Sequence, residues 1–235
     1  MKAVLLAAGL GTRLRPITDN IPKCLVPIRG KPLLAYWLDA LVDAGVESVL
    51  VNLHYLADQV SEFVETRTDR NRITLVEEPV LLGTAGTVRE NCGFFAGDKG
   101  LVIHADNFCG ASIEKLINAH SSRPEGTEIT MMTFRTNDPS ACGIIEIDRQ
   151  GVVQGFHEKV ADPPGRIANA AIYVFEQSVI QCISASRIGE FVDISRDVIP
   201  RYIGRIFATP ADGPVIDIGT PENFERAQSS VLGVD

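Results

Sequence analysis

Short apolar runs recur along this chain, and in its first half they alternate with segments of helical period; no other feature restricts the fold as much. KAVLL (2–6), SVLVNL (48–53), ITLV (73–76) and LVIH (101–104) have the length and β-branched character of buried strands. Leu34, Leu38, Leu41 and Val42 line one face of a helix over about 32–44, and Val60, Phe63 and Val64 do so over about 55–66. Trp37 falls on the first of these faces and reads as core. Strand alternating with helix builds βαβ units and hence parallel strands. From about residue 129 the runs EITMMTF, GIIEI and VVQGF crowd together, which adds antiparallel pairing. The expected architecture is a single α/β domain over residues 1–235, with a mixed, mainly parallel central sheet flanked by helices. Such sheets bind ligands beyond the carboxyl ends of their strands. The segments after KAVLL and LVIH are therefore the first candidates for a site.

Composition narrows the ligand. A net charge of −8 argues against a general nucleic-acid binder or a protein of anionic membranes. Residues 1–31 nevertheless carry Lys2, Arg13, Arg15, Lys23, Arg29 and Lys31 against Asp19, a balance of +5, which leaves −13 on the remaining 204 residues. A basic first segment on an acidic chain is either a site for a small polyanion or an ordinary solvated face. No apolar run approaches the ~18 residues of a membrane span. The opening MKAVLLAAGLGT resembles a signal peptide only superficially and reads as a strand entering a glycine loop. Five cysteines, odd in number and without a C-x-x-C pair, fit a reduced cytoplasmic setting better than a disulfide framework or a zinc site.

LAAGLGTRLRP (6–16) follows the first strand directly. Gly9 and Gly11 let the backbone turn tightly and bring successive N–H groups toward phosphate oxygens. A dinucleotide fingerprint needs a third glycine where Leu14 stands, and a Walker-type loop needs Gly-Lys-Ser/Thr, which is absent. A plain turn accounts for the glycines but not for Arg13 and Arg15 inside it. GLGTRLRPIT and then PKCLVPIRGKPLL, over 9–34, resemble the N-terminal signature of the sugar-1-phosphate nucleotidyltransferases. The pattern is closest to the mannose-1-phosphate and D-glycero-alpha-D-manno-heptose 1-phosphate guanylyltransferases. EEPVLLGTAGT (77–87) is similar to that family's base-recognition segment. HADN (104–107), CGIIEID (142–148), EK (158–159), NAAIYVF (169–175) and IDIGTPENF (216–224) follow in the family's order. The chain departs from the pattern at Cys24, Ala105, Ala171 and Val215, and none of these removes a group the chemistry requires. Its end soon after IDIGTPENF implies a catalytic domain without the β-helix of longer relatives.

The resemblance implies a Rossmann-like fold of the nucleotide-diphospho-sugar transferase type and assigns roles to single residues. Leu6, Ala8, Gly9, Gly11, Thr12, Arg13, Glu78, Gly83 and Thr84 would bind the nucleotide. Arg13 would grip the β- and γ-phosphates and Lys23 the reacting phosphate, suited as a donor fork and a point charge respectively. Gly143, Glu158, Lys159 and Asn169 would hold the sugar phosphate. Asp106 and Asp217, each singly readable as a cap or turn residue, together look like the carboxylate pair that holds Mg²⁺, a hard cation that takes one or two carboxylates and completes its shell with water and phosphate oxygens. With Arg13 and Lys23 they form the catalytic set. Without the resemblance, Glu158 and Lys159 would read as a solvated strand end. His54, His104, His120 and His157 occur singly and read as structural. Cys24 reads as packing.

No Ser-His-Asp or Cys-His constellation is present, and none is needed. The nucleophile is a sugar-phosphate oxygen, largely dianionic at neutral pH because its second pKa is about 6. By the same resemblance the residue just before Pro79, here Glu78, would read the base edge. A carboxylate only accepts hydrogen bonds; guanine offers N1–H and the 2-amino group side by side, whereas uracil and thymine offer a single N3–H flanked by carbonyls. Glu78, with Glu77 competing for the role, therefore favours GTP over UTP and dTTP. The implied activity is nucleotidyl transfer from GTP to mannose 1-phosphate or a manno-heptose 1-phosphate, releasing pyrophosphate, for cell-surface polysaccharide synthesis. Thymidylyl or uridylyl transfer to another hexose phosphate is the second reading, and a non-catalytic nucleotide-sugar-binding regulator the third. The expected partners are small-molecule substrates, with no nucleic acid and no membrane, and the resemblance allows a homodimer.

Overall fold

Residues 1–188 and 192–230 are described by the computed structural model. They form two compact units: Met1–Leu81, Ile103–Ile113 and the chain from Asp212 in the first, Leu82–Val102 and Glu114–Ala211 in the second.

In the first unit the strands Lys2–Leu6, Ser48–Leu53 and Ile73–Glu77 lie side by side and parallel, with Leu6 opposite Asn52 and Asn52 opposite Val76. The intervening segments are helical at Leu33–Asp43 and Ala57–Glu65, close to the spans that periodicity predicts. Leu34, Leu38 and Leu41 are buried as expected, and Val60 and Val64 turn inward from the second helix. Trp37 is buried and its indole N–H donates to the Asn107 carbonyl at 2.9 Å. That bond ties the first helix to a short antiparallel ladder, Asn107–Cys109 with Val215–Asp217, in which Asp217 stands opposite Asn107. Asp106 immediately precedes one strand of the ladder and Asp217 ends the other. Two carboxylates distant in sequence thus reach one edge of the unit.

The second unit is built on Ile129–Arg135. Ile167–Phe175 pairs with it antiparallel and Ile206–Pro210 pairs with it parallel. Gly143–Ile147 and Val153–Glu158 form an antiparallel hairpin in which Gly143 faces Glu158. The ladder of Ile167–Phe175 is interrupted between Asn169 and Tyr173. Within that interruption Ala171 takes a left-handed backbone, φ 56°, a conformation costing a non-glycine residue of order 1 kcal/mol. Helices Thr84–Glu90 and Gln177–Ala185 belong to this unit. The α/β class with a mixed, mainly parallel sheet flanked by helices is therefore found: the first unit sets three parallel strands beside a short antiparallel ladder, and the second mixes both senses. Among the described residues no helix is long and apolar enough to cross a membrane.

Candidate active site

At the carboxyl ends of the first unit's strands the glycine loop borders a cavity of about 300 Å³, lined by Gly9, Gly11, Thr12, Arg13, Lys23 and Asp106, with Leu10, Leu81 and Gly219. The loop's shape follows from sterics. Gly11 has φ 64°, and a Cβ there would lie 3.0 Å from the Thr18 methyl carbon, so neither the conformation nor the space admits a side chain. Thr18, fully buried, donates its hydroxyl to the Gly11 carbonyl at 2.7 Å and pins the turn. At Gly9 the corresponding space is open. Leu6 and Ala8 are buried beneath the loop.

Lys23 lies on a 3₁₀ turn, Lys23–Leu25, and is only 5% exposed. Its ammonium donates to Asp106 Oδ2 at 2.8 Å and to Asp217 Oδ1 at 3.1 Å. Burial alone would lower the lysine pKa, but the two facing carboxylates outweigh it and hold the pKa above its ordinary value. For Asp106 burial would raise the pKa, and the opposing attraction of Lys23, then of His104, holds it below the usual carboxylate range. Lys23 and Asp106 therefore face each other as an ion pair at neutral pH. Asp217 Oδ1 also accepts the Gly219 N–H at 2.8 Å, and Arg13 Nη2 stands 3.6 Å from Asp217 Oδ2. A Cβ at Gly219 would fall 2.8 Å from that guanidinium nitrogen and 2.9 Å from Asp217 Oδ1. Gly219 thus belongs to the site, although the sequence marks it only as part of IDIGTPENF. Beside Lys23, Cys24 is buried in packing, and burial pushes its thiol up to about 12. The four residues expected to be catalytic, Arg13, Lys23, Asp106 and Asp217, are brought together.

Glu78 is 3% exposed and does not line the cavity. Its Oε1 accepts from Asn52 Nδ2 at 2.9 Å, and Asn52 Oδ1 accepts the Ala7 N–H at 2.7 Å. Sequence reasoning passed over Asn52. Its signal was a lone amide inside the apolar run SVLVNL, at a position that proves to be buried.

The remaining expected residues belong to the second unit. Gly83 has φ 77°, and a Cβ there would collide with the Val192 carbonyl oxygen. The Thr84 hydroxyl accepts the Ile194 N–H at 2.8 Å and reaches Asp193 Oδ2 at 3.3 Å, so it fixes the local chain. A Cβ on Gly143 would lie 2.5 Å from Glu158 Oε2; glycine there is what leaves the glutamate its place. Lys159 sits at φ 51° with its ammonium 3.5 Å from Glu158 Oε1. Asn169 Nδ2 donates to the Tyr173 hydroxyl at 2.7 Å while its Oδ1 accepts the Ala171 N–H at 2.9 Å. These two bonds settle which end of the amide is which.

The family model described as nucleotidyl transferase matches residues 2–233. "Mannose-1-phosphate guanylyltransferase" of Mycobacterium tuberculosis is 33% identical over 98% of this chain and 64% of its own length. "Putative mannose-1-phosphate guanyltransferase" of Sulfolobus acidocaldarius is 30% identical over 99% of this chain and 63% of its own. The chain thus spans less than two thirds of the length of these relatives. The crystal structure of HddC from Yersinia pseudotuberculosis complexed with GMP-PN superposes with a TM-score of 0.79 at 28% identity, covering 97% of this chain and 98% of that one. A Bacillus anthracis structure titled as a putative glucose-1-phosphate thymidylyltransferase has a TM-score of 0.87 over 97% of this chain and 94% of its own, but at 22% identity that likeness concerns the fold alone.

Proposed function

We propose, from the premise that this chain belongs to the nucleotidyl transferase family, that it transfers a guanylyl group from GTP to a manno-configured sugar 1-phosphate. Residues 1–235 would act as one catalytic domain in this reading. The observation that carries it is the Lys23 ammonium clasped by Asp106 and Asp217 beside Arg13, at the rim of a glycine-loop cavity. The names of the relatives and the GMP-PN complex of HddC support the choice of guanine nucleotide and of mannose chemistry.

In the proposed reaction a phosphate oxygen of the sugar 1-phosphate attacks the α-phosphorus of GTP. The new P–O bond forms as the bond to the β-phosphate oxygen breaks, and pyrophosphate leaves with the electron pair. The attacking oxygen already carries charge, so no proton needs removing. Catalysis then rests on positioning and on charge placed where the transition state needs it. Lys23 supplies a fixed positive charge to the reacting phosphate, and Arg13 grips the leaving phosphates. Gly143, Glu158, Lys159 and Asn169 hold the sugar phosphate. Asp106 and Asp217 have the chemistry of a Mg²⁺ site, since their carboxylates already converge on one cation and two carboxylates suffice for a magnesium ion that keeps water and phosphate ligands. When bound, the ion would neutralise charge building on the phosphates.

Pyrophosphate release, measured across GTP, ITP, UTP, dTTP and ATP with mannose, manno-heptose and glucose 1-phosphates, tests the assignment. The expected result is the highest kcat/KM for GTP with a manno-configured partner. Faster turnover of UTP or dTTP would overturn the choice of base, and no release with any pair would overturn the activity.

A further inference from the structure

Between the turn that carries Arg13 and the turn that carries Lys23 the chain runs over the surface: of residues 15–20 only Thr18 is buried. Apolar packing does little to fix such a stretch, so its position depends on directed bonds. Three consecutive carbonyls along it are taken by two side chains from one place. The Tyr55 hydroxyl stands 3.1 Å from the Thr18 carbonyl oxygen and 3.0 Å from that of Asp19, sharing its proton between them. The Gln59 amide, in the first turn of the helix Ala57–Glu65, donates to the Asn20 carbonyl at 3.1 Å. Thr18 then passes this hold to the glycine loop. Its hydroxyl donates to the Gly11 carbonyl, which also accepts the Leu14 N–H at 3.0 Å and so closes the turn bearing Arg13. Its methyl carbon and Lys23 Cβ fill the space beside the Gly11 α-carbon, 3.0 and 3.3 Å from where a Cβ would stand. All of these residues belong to the first unit.

We infer that Tyr55, acting through Thr18, is a positioning residue for the phosphate loop: it holds the Gly11 carbonyl, and with it the direction in which the Arg13 turn meets the β- and γ-phosphates. The inference rests on the reading of residues 9–13 as a phosphate loop. Glycines permit the left-handed turn but do not choose it, because they admit many other backbones as readily. The choice is made from outside the loop, by the two donors on the Gly11 carbonyl and by the threonine methyl packed against it. Thr18 is fully buried, so water cannot take over its hydroxyl's bond once that group is removed. Tyr55 is only half-buried, and its hydroxyl can be deleted without opening the core. A loosened turn misdirects Arg13 and leaves the nucleoside contacts alone. The defect therefore falls on a ligand that carries β- and γ-phosphates and spares one that lacks them.

The test measures the affinities for GTP and for GMP, each with MgCl₂, in the parent protein, Thr18→Val, Thr18→Ser, Tyr55→Phe and the double variant Thr18→Val with Tyr55→Phe. Circular dichroism checks the fold. Thr18→Val keeps the shape and removes the hydroxyl; it is expected to weaken GTP ~10-fold or more while GMP hardly moves. Thr18→Ser restores the hydroxyl and should return the GTP:GMP affinity ratio most of the way to the parent's. Tyr55→Phe should lower that ratio by ~5-fold. The double variant should be little weaker than Thr18→Val alone, because the relay is already cut. Equal losses for GTP and GMP would make both residues merely structural and overturn the inference. Additive losses would mean that Tyr55 does not act through Thr18, which overturns the relay. A parent protein that binds GTP no tighter than GMP overturns the phosphate-loop reading itself, and is seen before any variant is made. If Thr18→Val does not fold, Tyr55→Phe decides alone, and an unchanged GTP:GMP ratio in it would overturn the proposal.

Discussion

Removing the Lys23 ammonium leaves two carboxylates aimed at one point with no charge between them. Lys23→Met should therefore do two separable things. Turnover at saturating substrates should fall ~10²–10³-fold, as for the loss of one fixed electrostatic contact to a transition state, with GTP affinity changed far less. In the absence of nucleotide, adding MgCl₂ should raise the melting temperature of the variant more than that of the parent, because a divalent ion replaces the missing cation. Near-normal turnover would remove Lys23 from the reaction, and equal magnesium responses would remove Asp106 and Asp217 from metal binding. These four charges were legible in the sequence because they stand in ordered motifs with punctuating glycines and prolines. Asn52 was not. Nothing in SVLVNL says whether its polar residue faces solvent or a buried N–H, and that depends on where Ala7 and Glu78 arrive from neighbouring strands.

The strands and the two early helices follow from periodicity, and their ends fall within a residue or two of expectation. Shorter elements escape it. The 3₁₀ turns Thr12–Leu14 and Lys23–Leu25 are each three residues long, less than one period of any amphipathic pattern, yet they present Arg13 and Lys23. The helix Thr84–Glu90 likewise begins inside EEPVLLGTAGT, where no apolar period announces it. In the second unit the hairpin geometry carries its own test. Gly143→Ala places a methyl group on the Glu158 carboxylate and the Phe156 ring, 2.5 and 2.8 Å from the built Cβ position. Strand pairing should survive while Glu158 is displaced. If Glu158 binds the sugar, the KM for sugar 1-phosphate should rise about tenfold or more and that for GTP should hardly move. Equal changes in both constants would place the Gly143–Glu158 pair away from the sugar. The left-handed Ala171 and Lys159 mark the same unit as one whose backbone carries strain, a frequent property of binding surfaces.

Across the whole molecule, acid stability should be governed in part by His120. Its ring is fully buried, with Nδ1 at 2.8 Å from the Thr130 hydroxyl oxygen and Nε2 at 2.9 Å from Glu176 Oε1. Burial, and then the Arg123 cation, pull its pKa down to about 4 against the partial compensation of Glu176. The folded state thus refuses a proton that the unfolded chain accepts near pH 6.5. The stabilisation is complete above pH 6.5 and is lost as pH falls from there toward 4, on the order of 3 kcal/mol over the interval. Urea titrations at pH 7.5 and 4.5 should show this loss, and His120→Gln should narrow the difference between the two. A variant with the parent's full pH dependence would exonerate His120. The class of fold was visible from the alternation of strand and helix. The division into two units was not, because no change of composition marks Leu82 or Asp212.

The bond between Lys23 and Asp217 joins residues 194 apart, and that separation has a consequence in time. At ~5–20 residues per second of synthesis, a ribosome that has placed Lys23 needs roughly 10 to 40 s to reach Asp217. Until then the nascent chain holds the lysine and Asp106 but only half of the clasp. A chain stalled before residue 212 should not respond to guanine nucleotide with magnesium, whereas one released beyond residue 230 should, so ligand protection against proteolysis of stalled chains would date the moment at which the site comes into being.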